Sequence, residues 1–139
     1  MKSLLCRSSV SVGLFGDTGV LIFRLFIGLT MAFAHGLGKL PPNAQFVGGV
    51  SSMGFPMPEL FAWAAGLSEF LGGIFIALGL LTSPAAFFLG FTMLVAAFGV
   101  HGADPFQVKE MSLLYLAACI FFMTYGGGRF SLDGIINKK

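Results

Sequence analysis

Four apolar stretches, each long enough to cross a bilayer, leave this 139-residue chain few ways to fold. They run from about Thr18 to Gly38, Pro58 to Leu81, Pro84 to Val100 and Glu110 to Tyr125. Their lengths, 16 to 24 residues, bracket the ~20 that an α-helix needs to cross a hydrocarbon layer of ~30 Å. In lipid every backbone N–H and C=O must find a partner within the protein, which leaves helices or a closed barrel. The apolar–polar alternation of a barrel strand is absent, so the stretches are expected to be helices. Composition agrees. Hydrophobic residues make up 56% of the chain and charged residues 10%, whereas a soluble domain carries about 25% charge. Fourteen charged side chains cannot cover the surface of a soluble chain this small. A net charge of +2 without a basic stripe also speaks against nucleic acid as a partner.

Between the stretches lie helix breakers. Pro41-Pro42 ends the first, since proline lacks the amide hydrogen and its ring crowds the preceding turn. Residues 39–57 are expected to form an extracytoplasmic loop, with a short interfacial helix around Ala44 to Ser52. Thr82-Ser83-Pro84 reads as a tight turn in which Ser83 caps and Pro84 takes the first helical position. His101 to Lys109 forms the last connection, turning at Asp104-Pro105. Short connections make neighbours antiparallel, so the expected fold is an all-α membrane protein. It is an up-down four-transmembrane-helix bundle in one domain over residues 1–139. Lys2, Arg7, Arg129, Lys138 and Lys139 flank one side, while Lys39 and Lys109 flank the other. The excess of positive charge places both termini in the cytoplasm. Cys6 and Cys119 have no metal-site or C-x-x-C spacing and are expected as free thiols. Met1 to Ser9 lacks the apolar core of a cleaved signal peptide.

Ionisable residues inside the spans cost about 2.5–3.5 kcal/mol each on insertion scales, so each needs a reason. At 100° per residue, Arg24, Gly28, Met31, His35 and Lys39 share one face of the first helix. On the second, Glu69 shares its face with Ala62, Ala65, Gly66, Gly72, Gly73 and Ile76, small residues that admit a neighbouring backbone. At 1.5 Å per residue His35 would lie roughly 6 Å below the loop-side boundary, Glu69 roughly 16 Å and Arg24 roughly 22 Å. His35, Lys39, His101 and Glu110 are thus expected to converge at an outward mouth, with Glu69 beneath them and Arg24 as its ion-pair partner. Structural readings stand beside these. Arg24 could snorkel to headgroups. An Arg24–Glu69 pair could simply join helices, and His35 and Lys39 could cap an interface. His101 could be an ordinary loop histidine, and Glu110 a helix N-terminal acid. No Glu-x-x-His pair of the di-iron type and no nucleophile–His–acid spacing is present. Neither a metal site nor a catalytic residue is therefore expected. The seventeen phenylalanines are first of all lipid-facing and core residues.

The ordered set Arg24-Leu25-Phe26-Ile27-Gly28, His35-Gly36-Leu37-Gly38-Lys39-Leu40, Gly54-Phe55-Pro56 and Glu69-Phe70-Leu71-Gly72-Gly73 resembles the DoxX family of small bacterial membrane proteins. The resemblance continues through Glu110-Met111-Ser112-Leu113-Leu114-Tyr115 and Gly126-Gly127-Gly128-Arg129-Phe130-Ser131-Leu132-Asp133. It implies four spans and a place in the bacterial inner membrane. It also implies kinship with membrane subunits of redox systems, including a thiosulfate:quinone oxidoreductase and complexes tied to thiol and oxidative stress. Arg24, His35, Lys39, Glu69 and Glu110 match the family's polar positions. A redox cysteine pair is lacking, which argues against disulfide chemistry on this chain.

The function expected from these readings is that of an accessory membrane subunit in a redox or oxidative-stress system, rather than a stand-alone enzyme. If it takes part in a reaction, it would do so as a subunit of a quinone-linked oxidoreductase. It would bind quinone, or dock an extracytoplasmic redox partner, with Glu69 and His35 handling protons or bonding a quinone carbonyl. The rival classes are a small-solute or proton-coupled transporter, with Glu69 midway across the membrane, and a structural scaffold. The bilayer is the expected surrounding, and self-association is left open.

Overall fold

The computed structural model describes residues 13–137. Cys6, the N-terminal nine residues and the lysines at 138 and 139 lie outside that range. Four helices are long and apolar enough to cross a membrane, and no strand occurs among the described residues. The first is a continuous rod over Leu14–Lys39, made of α1 (Leu14–Leu29), a π-helical segment (Thr30–Gly36) and a closing 3-10 turn (Leu37–Lys39). A short helix, α2 (Ala44–Ser52), follows where the sequence suggested one, and the Asn43 side chain caps it by accepting from Phe46 N at 2.8 Å. Then come α3 (Pro58–Leu78), α4 (Thr82–Val95, continued by a π-helical turn over Ala96–Val100), α5 (Phe106–Tyr125) and a short C-terminal α6 (Leu132–Ile136).

Helix ends differ from the sequence expectation where tertiary partners replace local signals. α1 begins before Thr18 because Asp17 is buried, 3.6 Å from Arg129 Nη1, instead of lying in a solvated tail. Its carboxylate also complements the N-terminal end of the helix dipole. α3 stops at Leu78 because Gly79 turns left-handed, with φ +68°. Ser83 does not cap α4. That role passes to Asp133, which reaches in from the far end of the chain, and Ser83 Oγ stays buried without a hydrogen bond.

Packing follows residue size. A Cβ on Gly28 would come 2.5 Å from the Gly73 carbonyl oxygen, and one on Gly73 would come 2.7 Å from that of Gly28. At that closeness only glycine fits, so α1 and α3 touch backbone to backbone. Further along, Gly36 lies against the backbone of Glu69 and Phe70. Met31, Ile76, Leu89, Met93, Cys119 and Phe122 fill the centre of the bundle. Phe23 against Phe121 and Phe122, with Tyr115 Oη donating to Thr30 Oγ1 at 2.9 Å, ties α5 to the first helix. Phe26, Phe87, Phe88 and Phe98, each more than half exposed, face outward as lipid-facing residues do.

Candidate functional site

The six sequence-selected residues do not form one site. Arg24, 2% exposed, does not meet Glu69. Its Nη1 donates to Gly127 O at 3.2 Å and its Nη2 to Phe130 O at 2.7 Å. Those carbonyls are free to accept because Gly126 and Gly128, both at positive φ, stop α5 and turn the chain back under the bundle. Asp133 completes the arrangement. Its Oδ1 accepts from Leu81 N at 2.8 Å, and its Oδ2 accepts from Thr82 N at 2.9 Å and Thr82 Oγ1 at 2.7 Å. Ser131 caps α6 by accepting from Gly134 N at 2.9 Å, and it donates to Gly128 O at 2.6 Å. Gly79 must be glycine, because a Cβ there would coincide with Arg24 Nη1. The expected Arg24–Glu69 pair is thus replaced by a polar lock that closes one end of the bundle.

Glu69 has another partner. Its Oε1 accepts from Lys39 Nζ at 2.6 Å, while the carboxylate is 1% exposed and Oε2 has no hydrogen-bond partner. By rise per residue alone, Glu69 would lie well below His35 and Lys39. The first helix ends sooner than α3 does, however, and the contact of Gly36 with Glu69 and Phe70 brings these levels together. α2 then packs against α3. The ammonium also sits 5.6 Å above the Phe46 ring, a cation–π distance that steadies it from the α2 side.

The pair lies at the edge of a cavity of about 310 Å³ between α2, α3 and α4. Phe46, Phe55, Phe61, Phe88 and Phe91 stand in its wall among aliphatic residues. Its polar groups are few: Lys39, Glu69, Ser68 and Thr92. The two hydroxyls lie 2.6 Å apart, and each also reaches a carbonyl of its own helix, Ala65 O at 3.0 Å and Phe88 O at 3.1 Å.

The other selected residues lie elsewhere. His35 turns its ring edge-on to Tyr115, 5.6 Å between centroids. The π-helical segment explains this. Residues four apart drift by about 40° in a regular α-helix, and the wider π turn cancels that drift. Gly28, Ala32 and Gly36 therefore stay on α3 while His35 turns toward α5. His101 pairs with Asp104 at 2.8 Å in an exposed turn, and Glu110 is exposed on α5. Among the described residues no group of three or more His, Cys, Asp or Glu is placed to hold a metal ion. Sequence reasoning missed Asp133, Thr82, Ser68 and Thr92. Asp133 stood in view within the Gly126 to Asp133 motif, but hydroxyls that bond their own helix leave no signal in the pattern.

Four membrane-length helices, with a charged pair at a cavity edge and a second set of buried polar groups closing one end, define a small multi-pass membrane protein in contact with the bilayer. The chain belongs to the DoxX family, whose model matches residues 19–102. It is 33% identical over 128 residues, 84% of this chain and 92% of the other, to an uncharacterized protein of Haemophilus influenzae. It is 31% identical over 131 residues to the inner membrane protein YqjF of Escherichia coli, covering 88% of this chain and 95% of that one. It is also 26% identical over 126 residues to a Bacillus subtilis protein named "Putative oxidoreductase CatD", covering 88% and 90% of the two chains. No solved structure matches it. With these relatives and its four spans, the chain is a multi-pass bacterial membrane protein.

Proposed function

We propose that this chain is the membrane component of a redox system and holds a quinone head in the cavity beside Lys39 and Glu69. The observation that carries the reading is the unpartnered Oε2 of a fully buried Glu69, set at the edge of an aromatic-walled cavity of about 310 Å³. A quinone ring is flat and apolar on its faces and accepts hydrogen bonds at its two carbonyls. Its reduced form donates from two hydroxyls instead. Lys39 offers the donor that the oxidised ring needs, and Glu69 Oε2 the acceptor that the reduced ring needs. The pair therefore serves both states without rearrangement. Phenylalanine faces suit a flat ring, and the oxidoreductase name of the Bacillus subtilis relative supports the redox setting. His35, which faces Tyr115, has no place in this proposal. The proposal includes an up-down path through the bacterial inner membrane, with both termini cytoplasmic and the Lys39 end facing outward.

Purification from membranes, followed by lipid extraction and mass spectrometry, tests the reading. Quinone is expected to co-purify with the unaltered chain above its level in the surrounding lipid, and to fall to that level in Glu69→Gln. Equal quinone in both, at the lipid background, would overturn the proposal. Solute uptake driven by a pH gradient in vesicles, lost in Glu69→Gln, would point to a transporter instead.

A further inference from the structure

The cavity reaches the lipid-facing side of the bundle, where Phe88 and Phe91 of its lining are 62% and 54% exposed. It shares Ala64, Ser68 and Phe88 with a second hollow of about 330 Å³ that runs along the outside of α3 and α4. Leu67, Leu71, Phe75 and Leu81 border this groove, and Gly72 and Ala85 form its floor. The floor is not hollow because the helices need it so. A Cβ on Gly72 would meet Ala85 O at an ordinary 3.6 Å, in contrast to Gly73, where glycine is obligatory for packing against Gly28. Leu67, Leu71 and Phe88 are 38%, 42% and 62% exposed, so the groove is open to the bilayer along its length. From Ala64 to Phe75 it follows α3 for about 16 Å, half the thickness of a ~30 Å hydrocarbon layer.

Size separates the two hollows by role. Pockets that enclose whole drug-sized ligands measure ~300–1,000 Å³, and the cavity stands at the bottom of that range. A quinone head fits inside it, and a long isoprenoid tail does not. The tail has to leave, and the adjoining groove, which shares Ala64, Ser68 and Phe88 with the cavity, has an almost wholly apolar lining. We infer that the ligand is a long-tailed amphiphile whose polar ring sits beside Glu69 and whose isoprenoid tail passes out by Ala64, Ser68 and Phe88 to lie between α3 and α4. It enters sideways from the bilayer rather than from water. This inference rests on the quinone reading above and narrows it, from any quinone to a bilayer-resident one with an isoprenoid tail.

Crosslinking in phosphatidylcholine nanodiscs separates the two claims. The probe is a benzoquinone with a three-isoprene tail ending in a diazirine, and the competitor is the same ring with a methyl group in place of the tail. Irradiation of the full chain is expected to label Leu67, Leu71, Phe75 or Leu81. Excess tailless ring, or Glu69→Gln, is expected to reduce that labelling at least tenfold. Competed labelling on α1 or α5 would overturn the groove while leaving the ring site intact. Labelling that neither the tailless ring nor Glu69→Gln reduces would overturn the quinone reading itself, and the groove with it.

Discussion

At the residue scale, Arg24 and Glu69, two of the buried charges, keep different chemical company. Arg24 is bound by carbonyls, and a guanidinium fork reaches Gly127 O and Phe130 O at once. Arg24→Lys is expected to lower stability almost as much as Arg24→Ala, about 1.5–3 kcal/mol for the lost charged hydrogen bonds, because one ammonium cannot span both acceptors. Thermal unfolding in detergent checks this, and full recovery with lysine would contradict it. Lys39 and Glu69 form the other set. Lys39→Met leaves both oxygens of a buried carboxylate without a partner. It is expected to cost about 1–3 kcal/mol, and pairing it with Glu69→Gln should recover part of that loss. A double-mutant cycle in the same unfolding assay measures the coupling. A merely additive result would mean that the 2.6 Å contact contributes nothing. Both charges were legible in the sequence as residues needing a reason, but their partners were not. A single helix wheel cannot show that Lys39 reaches down to Glu69, or that the chain returns under Arg24.

At the element scale, the first helix and α3 are held by the absence of side chains. Gly73→Leu is expected to force the helices apart at the Gly28 contact, with overpacking costs of about 1–3 kcal/mol or more. Gly72→Ala, one position away, is expected to be nearly neutral because its new methyl meets only ordinary contacts. Comparing the two Tm values tests whether the distinction is real. The small-residue face of α3 was visible in the sequence. The π-helical stretch over Thr30–Gly36 was not, since it arises when spacing-four contacts on a neighbour override the 3.6-residue period. That one override removes His35 from the site predicted for it.

At the scale of the whole molecule, the last turn of the chain holds the first half of the bundle together. Asp133 caps α4, and the carbonyls of residues 127 and 130 hold Arg24. A chain ending after Gly126 is expected to lose cooperative unfolding, although all four spans remain in its sequence. Retention of the full-length transition would show the lock to be dispensable. Orientation can be tested on the same molecule. A cysteine at Ser51, in a Cys6→Ser background, should react with a membrane-impermeant reagent from outside intact cells. Reaction only after the cytoplasm is opened would reverse the proposed topology.

The sequence by itself determined the class of protein. Spans of membrane length and fourteen charged residues admit only a helical membrane protein, because lipid leaves a backbone no other way to satisfy its hydrogen bonds. It also marked Arg24 and Glu69 as charges inside spans and the small-residue face of α3 as one that admits a neighbour. Only the tertiary structure decided who partners whom. Lys39 and Glu69 are 30 residues apart, Arg24 and Gly127 103, and Thr82 and Asp133 51. Contacts over such separations depend on where helices end and how they turn about their axes. Those quantities are set by packing against neighbours, and no local pattern encodes them.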